Sequence, residues 1–177
     1  MVLHNIYIIN DDGICPLSLK LGSIEADPDL VAGIFSATQT FWKEVTGEAP
    51  QTISFQDMNA YIKSFSIKKK GWYLLLITDA EKPGLVEKAQ DSILRVIKDN
   101  RSLFEIFDAD PSDINGTVGD SIISELSQIP CPHLSKELQE LSCEIDGEQA
   151  GNFDCNLVSM AKCKTKIRDY QKKNLLQ

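Results

Sequence analysis

Two adjacent carboxylates, Asp11 and Asp12, stand at the end of an apolar run in the stretch IYIINDDGICPLSLKLGS. Paired acids can hold a Mg²⁺ ion or take up a phosphoryl group when they end a parallel strand and a helix follows. Here another β-forming run follows instead, and the Asp-x-Asp of phosphatase-type sites is absent. Asp-Gly between two β-runs has a plainer chemistry. Gly13 adopts positive φ without steric cost and Asp tolerates it, as two-residue hairpins require. The spacing predicts a turn.

The other reactive side chains cluster late, at Cys131, His133, Cys143, Cys155 and Cys163. Structural zinc sites pair their cysteines as C-x₂₋₄-C, and no such pair occurs here; Cys155 and Cys163 fit the apolar stripe of a helix equally well. His4 and His133 are the only histidines, and no G-x-S-x-G sequence offers a nucleophile elbow. The run GTVGDS, Gly116–Ser121, resembles a phosphate loop but lacks its lysine and follows no strand, so a capped helix start explains it. No catalytic, cofactor or metal site is expected, and the chain reads as a non-enzyme.

The elements that would position any site follow from periodicity. Asn5–Asn10 and Ile14–Leu21 read as a hairpin. A helix comes next, with Asp27 as N-cap, Pro28 as its first residue and Gly47 as its stop. Its apolar residues Leu30, Val31, Ile34, Phe35, Ala37, Phe41, Trp42 and Val45 spread over roughly 160° at 100° per residue, wider than the ~100° one packing face needs. Most of that arc is expected to lie on a sheet. The edge formed by Val31, Phe35 and Trp42 is the candidate partner surface. Thr52–Phe55, Tyr61–Lys68 and Trp72–Thr78 then form a meander, in which the unbroken WYLLLI predicts a central strand buried on both sides. Helices are expected from Pro83 to about Asp99 and over Thr117–Gln128, before prolines 130 and 132 break the chain. The order β-β-α-β-β-β-α-α predicts an α+β domain over 1–128, a five-stranded antiparallel sheet packed by helices, with a mainly helical extension over 129–177.

A net charge of −8 argues against a nucleic-acid surface. The charge is uneven. Lys162, Lys164, Lys166, Arg168, Lys172 and Lys173, offset by Asp169, give the tail +5 and leave −13 on residues 1–161. That tail places Leu157, Met160, Cys163, Ile167 and Tyr170 at helical spacing, so it can meet anionic lipid or fold back on the acidic body. The opening MVLHNIYIIN is too short to span a bilayer and lacks the features of a signal peptide, and no transmembrane run occurs elsewhere. The expected location is therefore cytoplasmic, with reduced thiols and with peripheral membrane contact through the tail as an option.

With this order in place, the chain resembles a longin domain, profilin-like in architecture. The resemblance rests on IYIINDDGICPLSLKLGS, DPDLVAGIFSATQTFWKEVTGE and ISFQDMNAYIKSFSIKKKGWYLLLITD, in that order. It covers about Ile6–Gln128 and is nearest in wording to the stand-alone longin-like proteins of Asgard archaea. The resemblance implies a non-catalytic interaction platform related to roadblock domains. Such a platform would bind a small Ras-like GTPase or a partner longin or roadblock subunit, a second copy included, in membrane-trafficking-type regulation. The alternative is a peripheral membrane-associated trafficking factor using its basic C-terminal helix. Two departures matter: the tail is too short for the heptad helix of a longin SNARE and has no membrane anchor, and the extension does not read as an established accessory domain.

Overall fold

The computed structural model describes residues 3–79, 83–105, 114–129 and 157–158. Strands β1 (Leu3–Asn10) and β2 (Leu17–Lys20) are followed by helix α1 (Pro28–Thr46). The meander β3 (Thr52–Ser54), β4 (Asn59–Ile67) and β5 (Lys70–Thr78) comes next. Helices α2 (Pro83–Asp99) and α3 (Arg101–Glu105), a single π-helical turn (Ile114–Val118) and helix α4 (Gly119–Ser127) complete the described chain. The protein is α+β, with one five-stranded sheet in the order β2-β1-β5-β4-β3 and every neighbouring pair antiparallel.

Strand β5 lies in the middle, which accounts for its unbroken apolar run. Trp72, Leu74 and Leu76 enter the core on one face, and Leu75, flanked by half-buried Tyr73 and Ile77, enters it on the other. The first face carries α2, α3, the π turn and α4. Val86, Ala89, Ile93, Ile97, Phe104, Ile122 and Leu126 are packed there against Ile6 and Ile8 of β1. Leu157 is fully buried in the same cluster, and its N–H donates to the Ile129 carbonyl at 3.0 Å, so the chain beyond α4 contributes to this core. The second face is covered by α1, through Ala32 and Phe35 against Tyr7, Ile9, Ala60, Ile62 and Leu75.

Helix α1 has the ends its sequence predicts. The Asp27 carboxylate accepts from the N–H groups of Asp29 (2.9 Å) and Leu30 (3.2 Å), Pro28 opens the helix, and Gly47 closes it at φ 81°. Two expectations need correcting. The β1–β2 connection is no two-residue turn but runs from Asp11 to Pro16. Asn10 organises it, its Oδ1 accepting from Asp12 N–H (3.0 Å) and Ile14 N–H (2.9 Å), and pairing resumes at Leu17, after a proline that has no N–H to give. Gly13 does take positive φ, at 79°. The tight turn lies instead between β4 and β5, where Lys68 (φ 47°) and Lys69 (φ 73°) both adopt the left-handed conformation of a primed hairpin turn. The second correction concerns the last helix, which begins at Gly119 with no side-chain cap. The chain enters it already helical through the π turn, with Val118 at φ −76°, ψ −38°. Gly119 is needed for contact, since a Cβ there would come within 2.9 Å of Leu19 Cδ2 on β2.

Candidate interaction surface

The residues with the most obvious chemistry serve the scaffold. Asp11 Oδ2 accepts the Gly71 N–H at 3.2 Å while the Asp11 N–H donates to the Gly71 carbonyl at 3.1 Å. Asp12 pairs with Lys70 Nζ at 2.5 Å. The two carboxylates therefore diverge, and both fasten the β1–β2 connection to the start of β5. Cys15 is half-buried, its Sγ donating to the Leu17 carbonyl at 3.2 Å; burial pushes its thiol up to about 12, far from reactive thiolate. Burial, with Cys15 beside it, also raises Tyr7 above the ordinary phenol value. GTVGDS forms the end of the π turn and the first turn of α4. Among the described residues no group of three or more His, Cys, Asp or Glu side chains could hold a metal ion. Cys131, His133, Cys143, Cys155, Cys163 and the basic residues Lys162–Lys173 lie outside the described residues.

Helix α1 places the expected partner surface differently. Phe35 is only 5 % exposed, stacked edge-on to Tyr73 with ring centroids 5.2 Å apart, and it belongs to the core. Val31 is half-buried against the same cluster, while Trp42 remains 42 % exposed and contacts Phe41 edge-on at 5.6 Å. The apolar residues turned to solvent are Leu30, Ile34, Phe41 and Val45, at 63, 60, 56 and 62 % exposure. On a 100° helical wheel these four fall within an arc of about 60°, centred roughly 110° round from Phe35. They form a second stripe, separate from the one that packs on the sheet.

Sequence reasoning chose the wrong edge of the arc because polarity misled it. Gln39 lies on the sheet side and is 6 % exposed, with neither amide atom hydrogen-bonded among the described residues. A polar residue in the buried sector and Ala32 beside it shift the true packing face away from the centre of the large apolar residues. One signal was available: residues 30–42, LVAGIFSATQTFW, contain no charge over thirteen positions. A surface helix with one buried face normally carries charge on the other.

The sheet itself ends in an open edge at β3. Ser36, on the opposite flank of α1, sits against Gly13 of the β1–β2 connection, where an added Cβ would lie 3.1 Å from its Oγ. The Leu30–Val45 stripe lies roughly 140° round the helix from the buried Ala32, Phe35 and Gln39, and so faces away from the sheet. Strand β3 gives its inward groups to β4, as shown by Ile62 N–H to Gln51 O at 2.8 Å and Phe55 N–H to Met58 O at 2.7 Å. The alternation of an antiparallel ladder then points the N–H and C=O groups of Thr52 and Ser54 outward. Phe55, 59 % exposed, follows directly. Trp42, Thr46, Glu48, Pro50 and Gln51 line a shallow hollow of about 280 Å³ between the end of α1 and the start of β3. The far edge of the sheet differs. There the Ser18 N–H of β2 donates to Asn115 Oδ1 at 2.9 Å, and the π turn and α4 lie alongside. A side chain closes one edge, and the other is bare among the described residues.

On the helical face a larger hollow, about 390 Å³, is floored by Phe65, Ile67, Leu94 and Ile97 and rimmed by Lys68, Lys98, Arg101 and Glu105. The Lys68–Glu105 ion pair, 2.7 Å, spans part of that rim. No helix among the described residues is long and apolar enough to cross a membrane. The chain matches no family model and no curated protein.

Proposed function

We propose that the protein is a non-catalytic interaction module of longin type that docks a small Ras-like GTPase or a partner longin or roadblock subunit. The observation that carries this reading is the solvent-exposed apolar outer stripe of α1, on a fold that also leaves the β3 edge unpaired among the described residues. The fold thus offers two kinds of recognition. Apolar side chains at helical spacing accept a partner helix, and outward backbone groups accept a partner strand. The succession of hairpin, helix and meander supports the longin resemblance, and the carboxylates and the described thiol are absorbed by turns and packing.

The test is titration of the full chain against co-occurring small GTPases, each loaded with GDP or with a non-hydrolysable GTP analogue, and against co-occurring longin and roadblock subunits. Binding to at least one of them, weakened by Phe41→Asp, is the expected result. Absence of any complex with all of them would overturn the reading.

A further inference from the structure

The exposed stripe of α1 has an internal symmetry. Leu30, Ile34, Phe41 and Val45 are separated by four, seven and four residues, so the pattern reads the same in both directions about a point between Ala37 and Thr38. Antiparallel helices related by a two-fold axis through that point would place Leu30 against Val45 of the second helix, and Ile34 against Phe41. The small residues Ala37 and Thr38 would lie at the crossing, where two helices come closest. A self-complementary patch of this kind is what an isologous interface demands, because one surface must serve as both partners.

We infer that the partner of this face is a second copy of the same chain, paired through α1 in antiparallel orientation. This deepens the proposed function and rests on its assignment of the α1 face as the docking surface. Three further features favour it. The uncharged run 30–42 means that two copies, each carrying −8, bring no like charges together at the centre of the contact. Glu44, at the margin, would lie about 20 Å along the axis from its symmetry mate at 1.5 Å rise per residue. At their observed exposures the four side chains, with Ala37 and Thr38, offer on the order of 500 Å² per copy and so about 1,000 Å² for the pair, the lower bound for a specific association. An interface of that size dissociates on dilution, on the order of micromolar concentrations.

Sedimentation equilibrium of the full chain tests the pairing, with Ile34→Lys and Phe41→Glu as variants at exposed positions. Circular dichroism checks that each variant keeps its fold. The wild type is expected to be a dimer that dissociates on dilution. Each variant alone should associate at least about 100-fold more weakly, because the symmetry introduces every substitution twice. The equimolar mixture of the two variants should recover a heterodimer, since the introduced lysine of one chain then faces the introduced glutamate of the other while the second Ile34–Phe41 contact stays intact. A wild type that is monomeric at roughly 200 µM, some hundredfold above the expected range, overturns the inference. So does a mixture no more associated than its components. Failure here is distinguishable from failure of the docking reading, because a monomer that still binds a GTPase refutes only the self-pairing.

Discussion

Phe35 and Phe41 are six residues apart on one helix, yet truncating them should differ several-fold in cost. Phe35 is 5 % exposed and lies edge-on to Tyr73 at 5.2 Å. Phe35→Ala removes on the order of 120 Å² of buried apolar area, about 3 kcal/mol at ~25 cal/mol per Å². The lost aromatic contact adds about 1 kcal/mol. A total of about 3–5 kcal/mol agrees with what core phenylalanines generally cost. Phe41 is 56 % exposed, so Phe41→Ala forfeits about 1 kcal/mol of partial burial against Trp42 and recovers about half of it through the better helix propensity of alanine. Its net cost is under about 1 kcal/mol. Urea unfolding followed by tryptophan fluorescence measures both, at low protein concentration so that association does not add to apparent stability. With m near 1.5–2 kcal/mol/M for a domain of this size, Phe35→Ala should lower the midpoint by about 2 M and Phe41→Ala by less than about 0.5 M. A loss under about 1 kcal/mol for Phe35→Ala, or above about 2 kcal/mol for Phe41→Ala, would refute the division of α1 into a packing face and a free face.

Lys69 holds φ 73° in the β4–β5 turn, a conformation that costs a side-chain-bearing residue about 1 kcal/mol. Lys69→Gly should therefore raise stability by up to about 1 kcal/mol in the same unfolding assay. Gln39→Met replaces a buried amide without protein partners by an apolar side chain of similar length and should stabilise by about 1 kcal/mol; a loss of more than that would place a bound water or partner at the amide. The Cys15 thiol, pushed up to about 12, should resist iodoacetamide at pH 8 in the folded chain and react once urea unfolds it, as peptide mass mapping will show. Because the folded state holds that proton more tightly than the unfolded chain, whose thiol ionises near its ordinary 9.0, Cys15 should cost stability as pH rises from about 9 toward 12, and Cys15→Ala should flatten that decline.

The parts of this fold that were legible in the sequence are those set by local rules. Asp27, Pro28 and Gly47 mark α1 because capping chemistry acts within a few residues, and WYLLLI announces a central strand because burial on both faces removes alternation. The Asp-Gly turn was misjudged in length. Asn10, whose side-chain carbonyl holds the loop open, gives no signal that separates it from any other polar residue ending a strand. The start of α4 was misplaced for a related reason: a π turn replaces the cap, and nothing in GTVGDS distinguishes the two. The candidate surface was half legible. The excess apolar arc on α1 is present as solvent-exposed side chains, but which of them are exposed depends on Ala32, Phe35 and Gln39 being the buried face, a tertiary fact.

The uneven covering of the sheet explains why α1 has this outer face. Five strands at about 4.8 Å spacing place the outermost backbones about 19 Å apart, whereas one helix with its side chains is about 10 Å across. On one face the sheet meets α2, α3, the π turn, α4 and Leu157, enough to bury its full width. On the other, α1 is the only helix among the described residues. It covers β1, β5 and β4 through Ala32 and Phe35, leaving Ile53 of β3 half-buried and Phe55 exposed. A helix that packed there solely for stability would direct its leftover surface to water with charged residues, as α2 does with Glu87, Lys88, Asp91 and Lys98. Helix α1 has no charge from Leu30 to Trp42, and its leftover surface carries the exposed Leu30, Ile34, Phe41 and Val45. A helix laid against the Leu30–Val45 stripe would bury that apolar surface, which is why this face is where a partner of the chain is to be sought.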